Sequence, residues 1–461
     1  NYRSTGMILN AANAVIANNA ARKGKSLWTD NGDGDKIEVQ TLADEKEEAR
    51  HIVDCISNSI KEGERFCDNA ILYRMNAQSN AIENVLARSG IPYKVIGGFR
   101  FYERKEIRDI LAYLHVIDNP TDSVRLRRII NEPKRGIGET TVNRAADIAS
   151  GLGISLFEVL KSAPDYPDIA RSSGKIRIFT DLIDNLTELA GTLPLTQLVN
   201  EVSERSGYMA ALISQGYEGA DRIANVKELS SSIAMYEQEN EEPSLSGFLE
   251  EIALISDIDQ YDENSDAVIL MTIHSAKGLE FDNVYLVGME EGIFPGNQSI
   301  YGGVEEIEEE RRLAYVAITR AKKHLFITNS YTRMLYGQTN RNHPSRFLAE
   351  IPTELCDIKV KPMPVVASGN VAFRSGGFGG AGRSNNSYSS SPDRYSTSSY
   401  IKPEEHTAQI HTVGERIRHK AFGEGMVLKS TPMGNDLLLE IAFDDVGTKK
   451  IMSNFAKLEK I

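Results

Sequence analysis

The chain is 461 residues long, more than one hydrophobic core serves, so two to four domains are expected. Hydrophobic residues make up 41% and charged residues 25%, the balance of an ordinary globular protein, and no apolar run approaches the roughly 18–20 residues of a membrane span. A net charge of -13 argues against coating nucleic acid by bulk attraction, and three scattered cysteines, Cys55, Cys67 and Cys356, are too few for a disulfide framework or a zinc site and suit a reducing cytoplasm.

The first twenty residues are already patterned: Ile8, Ala12, Val15 and Ile16 recur at helical spacing after Ser4 or Thr5, either of which can cap a helix. A chain that starts this way, with no strand or methionine before it, reads as a fragment. "KIEVQTL" predicts a strand, Asp44 to Lys61 a charged helix, "NAILYR" a buried strand, Ala81–Ser89 a helix and "YKVIG" a short strand. Strand and helix alternate, which predicts a layered α/β unit with a largely parallel sheet. From 104 onward the pattern is almost wholly helical, an all-α insertion. At 267 strands return with "AVILMTI" and "NVYLVG", followed by the helix "EEIEEERRLAYVAITRA" and the strand "HLFITNS". The simplest account is one α/β domain in two pieces around a helical domain. Residues 365–411 are Gly/Ser-rich and bury too little to order themselves. The last fifty residues show short alternating strands broken by "GEG", "MGND" and "DVG", a small β-barrel.

Charge is unevenly placed. Glu237–Asp266 holds eleven acids and no Lys or Arg, whereas Arg311–Ala349 holds eight bases (Arg311, Arg312, Arg320, Lys322, Lys323, Arg333, Arg341 and Arg346) and no acid. A local basic stripe of this kind can bind phosphates on an acidic protein. The run "GVEEIEEE" reads as a solvated helix face with acids favoured near the N-terminus. No phosphate loop is apparent: "GKS" at Gly24–Ser26 has Asn19 where the opening glycine belongs and no strand before it.

Three segments, "NYRS" (Asn1–Ser4), "TIHSAKGLEF" (272–281) and "AYVAITRAKKHL" (Ala314–Leu325), resemble motifs IV, V and VI of UvrD/PcrA-type DNA helicases of superfamily 1A, nearest the PcrA type of Gram-positive bacteria. "ILYRMNAQSN", "FYERKEIRDILAYL", "NEPKRGIGETTV" and "RMLYGQTNRNHPSRFL" match the same family in order across essentially the whole chain. The resemblance implies a RecA-like domain 2A in two pieces (1–103 and 266–362) split by a helical 2B insertion (104–265), a disordered linker (363–411) and a Tudor-like β-barrel (412–461). The first motor domain, with its Walker motifs, would lie upstream. It further implies the C-terminal half of an ATP-dependent 3′→5′ DNA helicase, a monomeric translocase of DNA repair and of rolling-circle or transcription-linked replication. ATP would bind with Mg²⁺, the metal and most phosphate ligands coming from the absent half, so this chain alone should be inactive.

Residue by residue, the resemblance makes Arg3 and Arg320 arginine fingers, suited to charge spread over a phosphoryl group in transfer. Tyr2 stacks on adenine; Glu280 takes the ribose hydroxyls; Gly278 lets the backbone approach phosphate. Thr272 and His274 meet the DNA backbone, and Tyr336 stacks on a base of a tracked single strand. Arg74, Asn76 and Arg346 are further DNA contacts. Lys134 and the turn Gly136, Ile137, Gly138 offer backbone N–H groups to a duplex phosphate at a single-strand/duplex junction. Lys277 reads equally as a solvated charge. The barrel, with eight Lys/Arg against seven Asp/Glu from Val413 to Ile461, suits a protein partner, and the resemblance names RNA polymerase, captured along a strand edge. Two alternatives stand: a non-catalytic adaptor between DNA and RNA polymerase, and the helicase half of an AddA/RecB-type helicase-nuclease. A linker and barrel where a nuclease domain belongs speak against the second.

Overall fold

The computed structural model describes residues 3–20, 27–258, 266–361, 411–433, 436–456 and 458–461. Tyr2, the Gly24–Ser26 stretch and the expected linker up to residue 410 lie outside them.

Seven strands form one sheet in which every pairing is parallel: β1 (Ile37–Leu42), β2 (Asn69–Tyr73), β3 (Tyr93–Ile96), β4 (Val268–Thr272), β5 (Phe281–Leu286), β6 (Ala321–Ser330) and, later in the chain, Cys356–Val360, with Cys356–Val360 at one edge and β3 at the other. β2 (NAILY) is buried at every position, as a central strand covered on both faces should be. Ala70 and Leu72 of β2 point to one face; Ile71 and Tyr73 point to the other, as the two-residue strand period requires. Helix α1 (Gly6–Ile16) packs on the first face through Ile8, Ala11, Ala12 and Val15. Helices α2 (Glu45–Lys61) and α3 (Ser79–Arg88) cover the second through Ile52, Ile56, Ile82 and Leu86. Asp44 caps α2, its carboxylate accepting the Glu47 N–H at 2.8 Å. Thr5 holds the equivalent position on α1 without a side-chain cap bond.

Residues 105–258 are helices and turns around a separate core. Helix α4 (Lys105–Asp118) opens this stretch, and α5 (Ala220–Glu239) lies against the sheet domain, where its Asn225 accepts from Arg104 at 2.8 Å and its Ser232 from Asn80 at 2.8 Å. After β5, helix α6 (Val304–Ile318) packs Ala314, Ala317 and Ile318 on the α1 face. It ends at Ile318, so the helix expected to run through "TRA" is corrected: Thr319 and Arg320 form the joint and Ala321 opens β6. A hairpin, β7 (Arg333–Leu335) and β8 (Gln338–Asn340), follows.

The expected C-terminal strands form a five-stranded antiparallel sheet from Arg416–His419, Gly423–Met433, Asp436–Phe443, Gly447–Met452 and Glu459–Lys460. Its inward residues, among them Ile417, Phe422, Leu439 and Ile451, share a core with the α2/α3 face of the large sheet. Phe455 lies under two guanidiniums, Arg88 at 4.9 Å and Arg50 at 5.5 Å from the ring centre. No helix among the described residues is long and apolar enough to cross a membrane.

Candidate nucleotide and nucleic-acid sites

Thr272 closes β4 level with Tyr73 at the end of β2, and Phe281 opens β5, whose Asn283 is level with Asn69 at the start of β2. All three strands run the same way, so residues 273–280 carry the chain from the C-terminal edge of the sheet back to its N-terminal edge. At about 3.3 Å per residue that return spans roughly 20 Å. The two halves of "TIHSAKGLEF" therefore lie at opposite edges.

At the C-terminal edge, the Thr272 hydroxyl accepts the Ser275 N–H at 3.2 Å and lies 3.0 Å from the Ser275 hydroxyl, fixing the turn. His274 is exposed beside Arg74. Partial burial, then the Arg74 guanidinium, push its imidazole below the ordinary value, so near pH 7 it is neutral, with one N–H to give. Arg74 is itself clamped by Glu310: Nε lies 3.1 Å from both carboxylate oxygens and Nη2 2.7 Å from one. Asn76 starts a short 3-10 turn, and its carbonyl accepts from Arg104 at 3.2 Å and from the Ser79 hydroxyl at 2.9 Å.

At the N-terminal edge, the Thr5 N–H donates to the Lys322 carbonyl at 3.1 Å and brings the start of the chain beside β6. Arg3 then reaches Glu280, Nη1 to Oε1 at 2.8 Å. Arg320, at the α6–β6 joint, donates from Nη1 to the Leu279 carbonyl at 2.9 Å, from Nε to the Val316 carbonyl at 3.1 Å and from Nη2 to the Thr319 hydroxyl at 3.1 Å. Gly278 sits at φ +95 with nothing within 4 Å of where a Cβ would stand. Two fixed cations, one carboxylate and an open glycine suit phosphates with a ribose beside them. Among the described residues no group of three His, Cys, Asp or Glu side chains suits a metal ion.

The remaining expected contacts are dispersed. Tyr336 is the one non-glycine residue at positive φ (57) among the described residues, on the two-residue turn of the β7–β8 hairpin. Arg346 makes a bidentate pair with Glu291, at 2.6 and 3.0 Å. Lys134 and Gly136–Gly138 lie in the helical region. There the N–H groups of Arg135, Gly136 and Ile137 all point to the Asn131 side-chain oxygen, at 2.9, 3.0 and 3.3 Å, and the Ile137 side chain is buried. The expectation that the Gly136 and Ile137 amides face outward for a phosphate is thus corrected: an internal oxygen already takes them, leaving exposed Lys134 and Gly138.

Two charge readings also change. The eight-base stripe is mostly neutralised: Arg311 pairs with Glu350, Arg312 with Glu308 and Glu309, Lys322 and Lys323 with Asp282, Arg333 with Glu48 and Glu290, and Arg346 with Glu291. Among the described residues only Arg320 and Arg341 of the eight lack a carboxylate partner. Nor is "GVEEIEEE" simply solvated, since Glu308 and Glu310 are buried and Glu310 holds Arg74. Ile307, Glu310, Arg311 and Ala314 share one face at helical spacing, a signal the sequence carried.

The chain belongs to the family described as UvrD-like helicase C-terminal domain, whose model matches residues 1–332. The model described as PcrA/UvrD tudor domain matches residues 413–460. Among similar proteins, the ATP-dependent DNA helicase PcrA of Staphylococcus epidermidis (strain ATCC 12228 / FDA PCI 1200) is 41% identical over 466 residues. Those of Bacillus subtilis (strain 168) and Staphylococcus aureus (strain MRSA252) are each 39% identical. Each alignment covers 100% of this chain and 61% of the relative, so the chain spans about three-fifths of their length.

Proposed function

We propose that this chain is the second half of the motor of an ATP-dependent DNA helicase, a 3′→5′ translocase in a cytoplasm, working on single-stranded DNA and single-strand/duplex junctions. The observation that carries the proposal is the 272–281 strip, with Thr272 and His274 at one edge of the sheet and Gly278 and Glu280, gripping Arg3, at the other. A change in Arg3–Glu280 geometry on nucleotide binding is transmitted along the strip to the DNA-side turn that the Thr272 hydroxyl fixes. Direction, monomeric action and a place in repair and replication are carried over from family resemblance.

ATP fits the N-terminal edge as the donor set is built. Glu280 accepts ribose hydroxyls, the Gly278 backbone lies open to phosphate, and Arg3 and Arg320 supply positive charge where negative charge grows during transfer. Nucleotide binding would draw Arg3 from Glu280, replacing one anion by another. The phosphoryl chemistry is supplied by ATP with Mg²⁺, whose ligands we assign to the rest of the longer protein. On the DNA side, neutral His274 donates to a phosphate oxygen, Arg74 is aimed by Glu310, and Asn76 and, further off, Arg346 add polar contacts. Tyr336 supplies a stacking face. Tyr2 belongs with the adenine by resemblance alone. Lys134 and Gly138 remain the duplex contacts of the helical region. We also assign RNA polymerase to the tail, supported by the tudor match and the balanced charge of these strands.

The test is anisotropy of a labelled dT oligonucleotide with the 461-residue chain. Binding that weakens steeply with salt, and about tenfold in Tyr336→Ala, is expected, since a stacked base is worth about 1–3 kcal/mol. No binding at low salt would overturn the DNA assignment.

A further inference from the structure

The Tyr336 ring is carried by a hairpin whose two turn amides are bonded outside the sheet domain. Tyr336 and Gly337 occupy the two turn positions with φ of 57 and 72, the left-handed pair a two-residue hairpin requires. Glycine adopts this at no cost. A tyrosine does so against its own preference, and such a conformation persists only where the surroundings dictate it.

Here the surroundings are side chains of α5, in the helical region. The Tyr336 N–H donates to the Glu228 carboxyl at 2.9 Å, and the Gly337 N–H to the Ser231 hydroxyl at 2.9 Å. A Cβ on Gly337 would stand 3.1 Å from the Ser230 Cβ, so the turn is pressed directly on that helix. Glu228 is 3% exposed. No side chain of the hairpin makes these bonds; two backbone donors do, and they fix turn conformation rather than side-chain packing.

We propose that Glu228 and Ser231 are positioning residues for Tyr336: through two backbone hydrogen bonds, helix α5 of the helical region holds the turn in the conformation that presents the ring to a base. The inference rests on the reading of Tyr336 as the stacking residue. It adds that the helical region sets this contact, so that a shift of α5 relative to the sheet releases the ring. Burial pushes the Glu228 carboxyl up to about 8, so at neutral pH it serves mainly as a protonated acid with a carbonyl acceptor. A glutamine imitates that form.

The experiment uses the 461-residue chain with an oligonucleotide carrying 2-aminopurine, whose fluorescence reports stacking, alongside affinity. Tyr336→Ala is expected to weaken binding about tenfold and abolish the stacking signal. Glu228→Leu is expected to reproduce most of both losses, Glu228→Gln to restore both, and Ser231→Ala, which removes one small hydroxyl and serves if Glu228→Leu does not fold, to lose part of the signal. In the Tyr336→Ala background, Glu228→Leu and Ser231→Ala should add nothing further. Wild-type stacking in both Ser231→Ala and Glu228→Leu, or fully additive losses in the double variants, would overturn the positioning role while leaving Tyr336 its own. Unchanged stacking in Tyr336→Ala would instead overturn the reading beneath it.

Discussion

Replacing Arg320 separates catalysis from architecture by size of effect. Its guanidinium makes three hydrogen bonds, to Leu279, Val316 and Thr319. At about 1 kcal/mol net for each, and less where water reaches them, Arg320→Ala should cost about 1–3 kcal/mol of stability. For domains of this size that is a fall of roughly 3–10 °C in Tm. An arginine acting on a transferring phosphoryl group is worth about 10³-fold or more in kcat, which is about 4 kcal/mol of transition-state stabilisation. In the complete protein, DNA-stimulated ATP hydrolysis by Arg320→Ala should therefore fall at least 10³-fold in kcat, with KM for ATP changed far less, because the interaction belongs to the transition state. Arg320→Lys keeps a charge but not the three-way geometry, and should recover little. A kcat within about tenfold of wild type, in a variant that melts where expected, would refute the assignment, since that much is ordinary for one lost contact.

Other outcomes are equally definite. Arg333→Leu strands the buried carboxylates of Glu48 and Glu290, which Arg333 holds at 2.6 and 2.7 Å; it should destabilise by about 3–5 kcal/mol, read in urea titration. Glu280→Gln removes a half-exposed pair with Arg3 worth under about 1 kcal/mol, so Tm should hold while ATP affinity in the complete protein drops. In the tail, the N–H groups of Ala421 and Phe422 donate to Nδ1 of His419, and burial pushes that imidazole down to about 4. The unfolded chain takes the proton first, so this contribution is full above pH 6.5, is lost as pH falls toward 4, and totals about 3 kcal/mol; amide exchange of the Arg416–Met452 strands across that window checks it. The full chain should retain RNA polymerase on a column, and a chain ending at Lys361 should not.

Much of this was legible in order and period. The alternation of Ala70 and Leu72 with Ile71 and Tyr73 marks a strand covered on both faces, whereas the joint at Arg320 was hidden, because no glycine or proline stops the helix expected to run through "TRA". Partnerships distant in sequence were not legible. The basic stripe looked open because its counter-charges, Glu48, Asp282, Glu290 and Glu291, come from other segments that folding brings alongside. Gly136–Gly138 looked like a phosphate turn because Asn131, five to seven residues earlier, gives no periodic sign that its oxygen collects the amides. Glu228 lies 108 residues from the backbone it supports, and no local pattern connects them.

The central claim, that these residues form half of an ATP site, is tested most directly by hydrolysis. The 461-residue chain alone should release no phosphate from ATP, with or without single-stranded DNA, and the complete protein should turn over ATP in proportion to added single strand. DNA-stimulated hydrolysis by this chain alone, or its absence from the complete protein, would contradict the account.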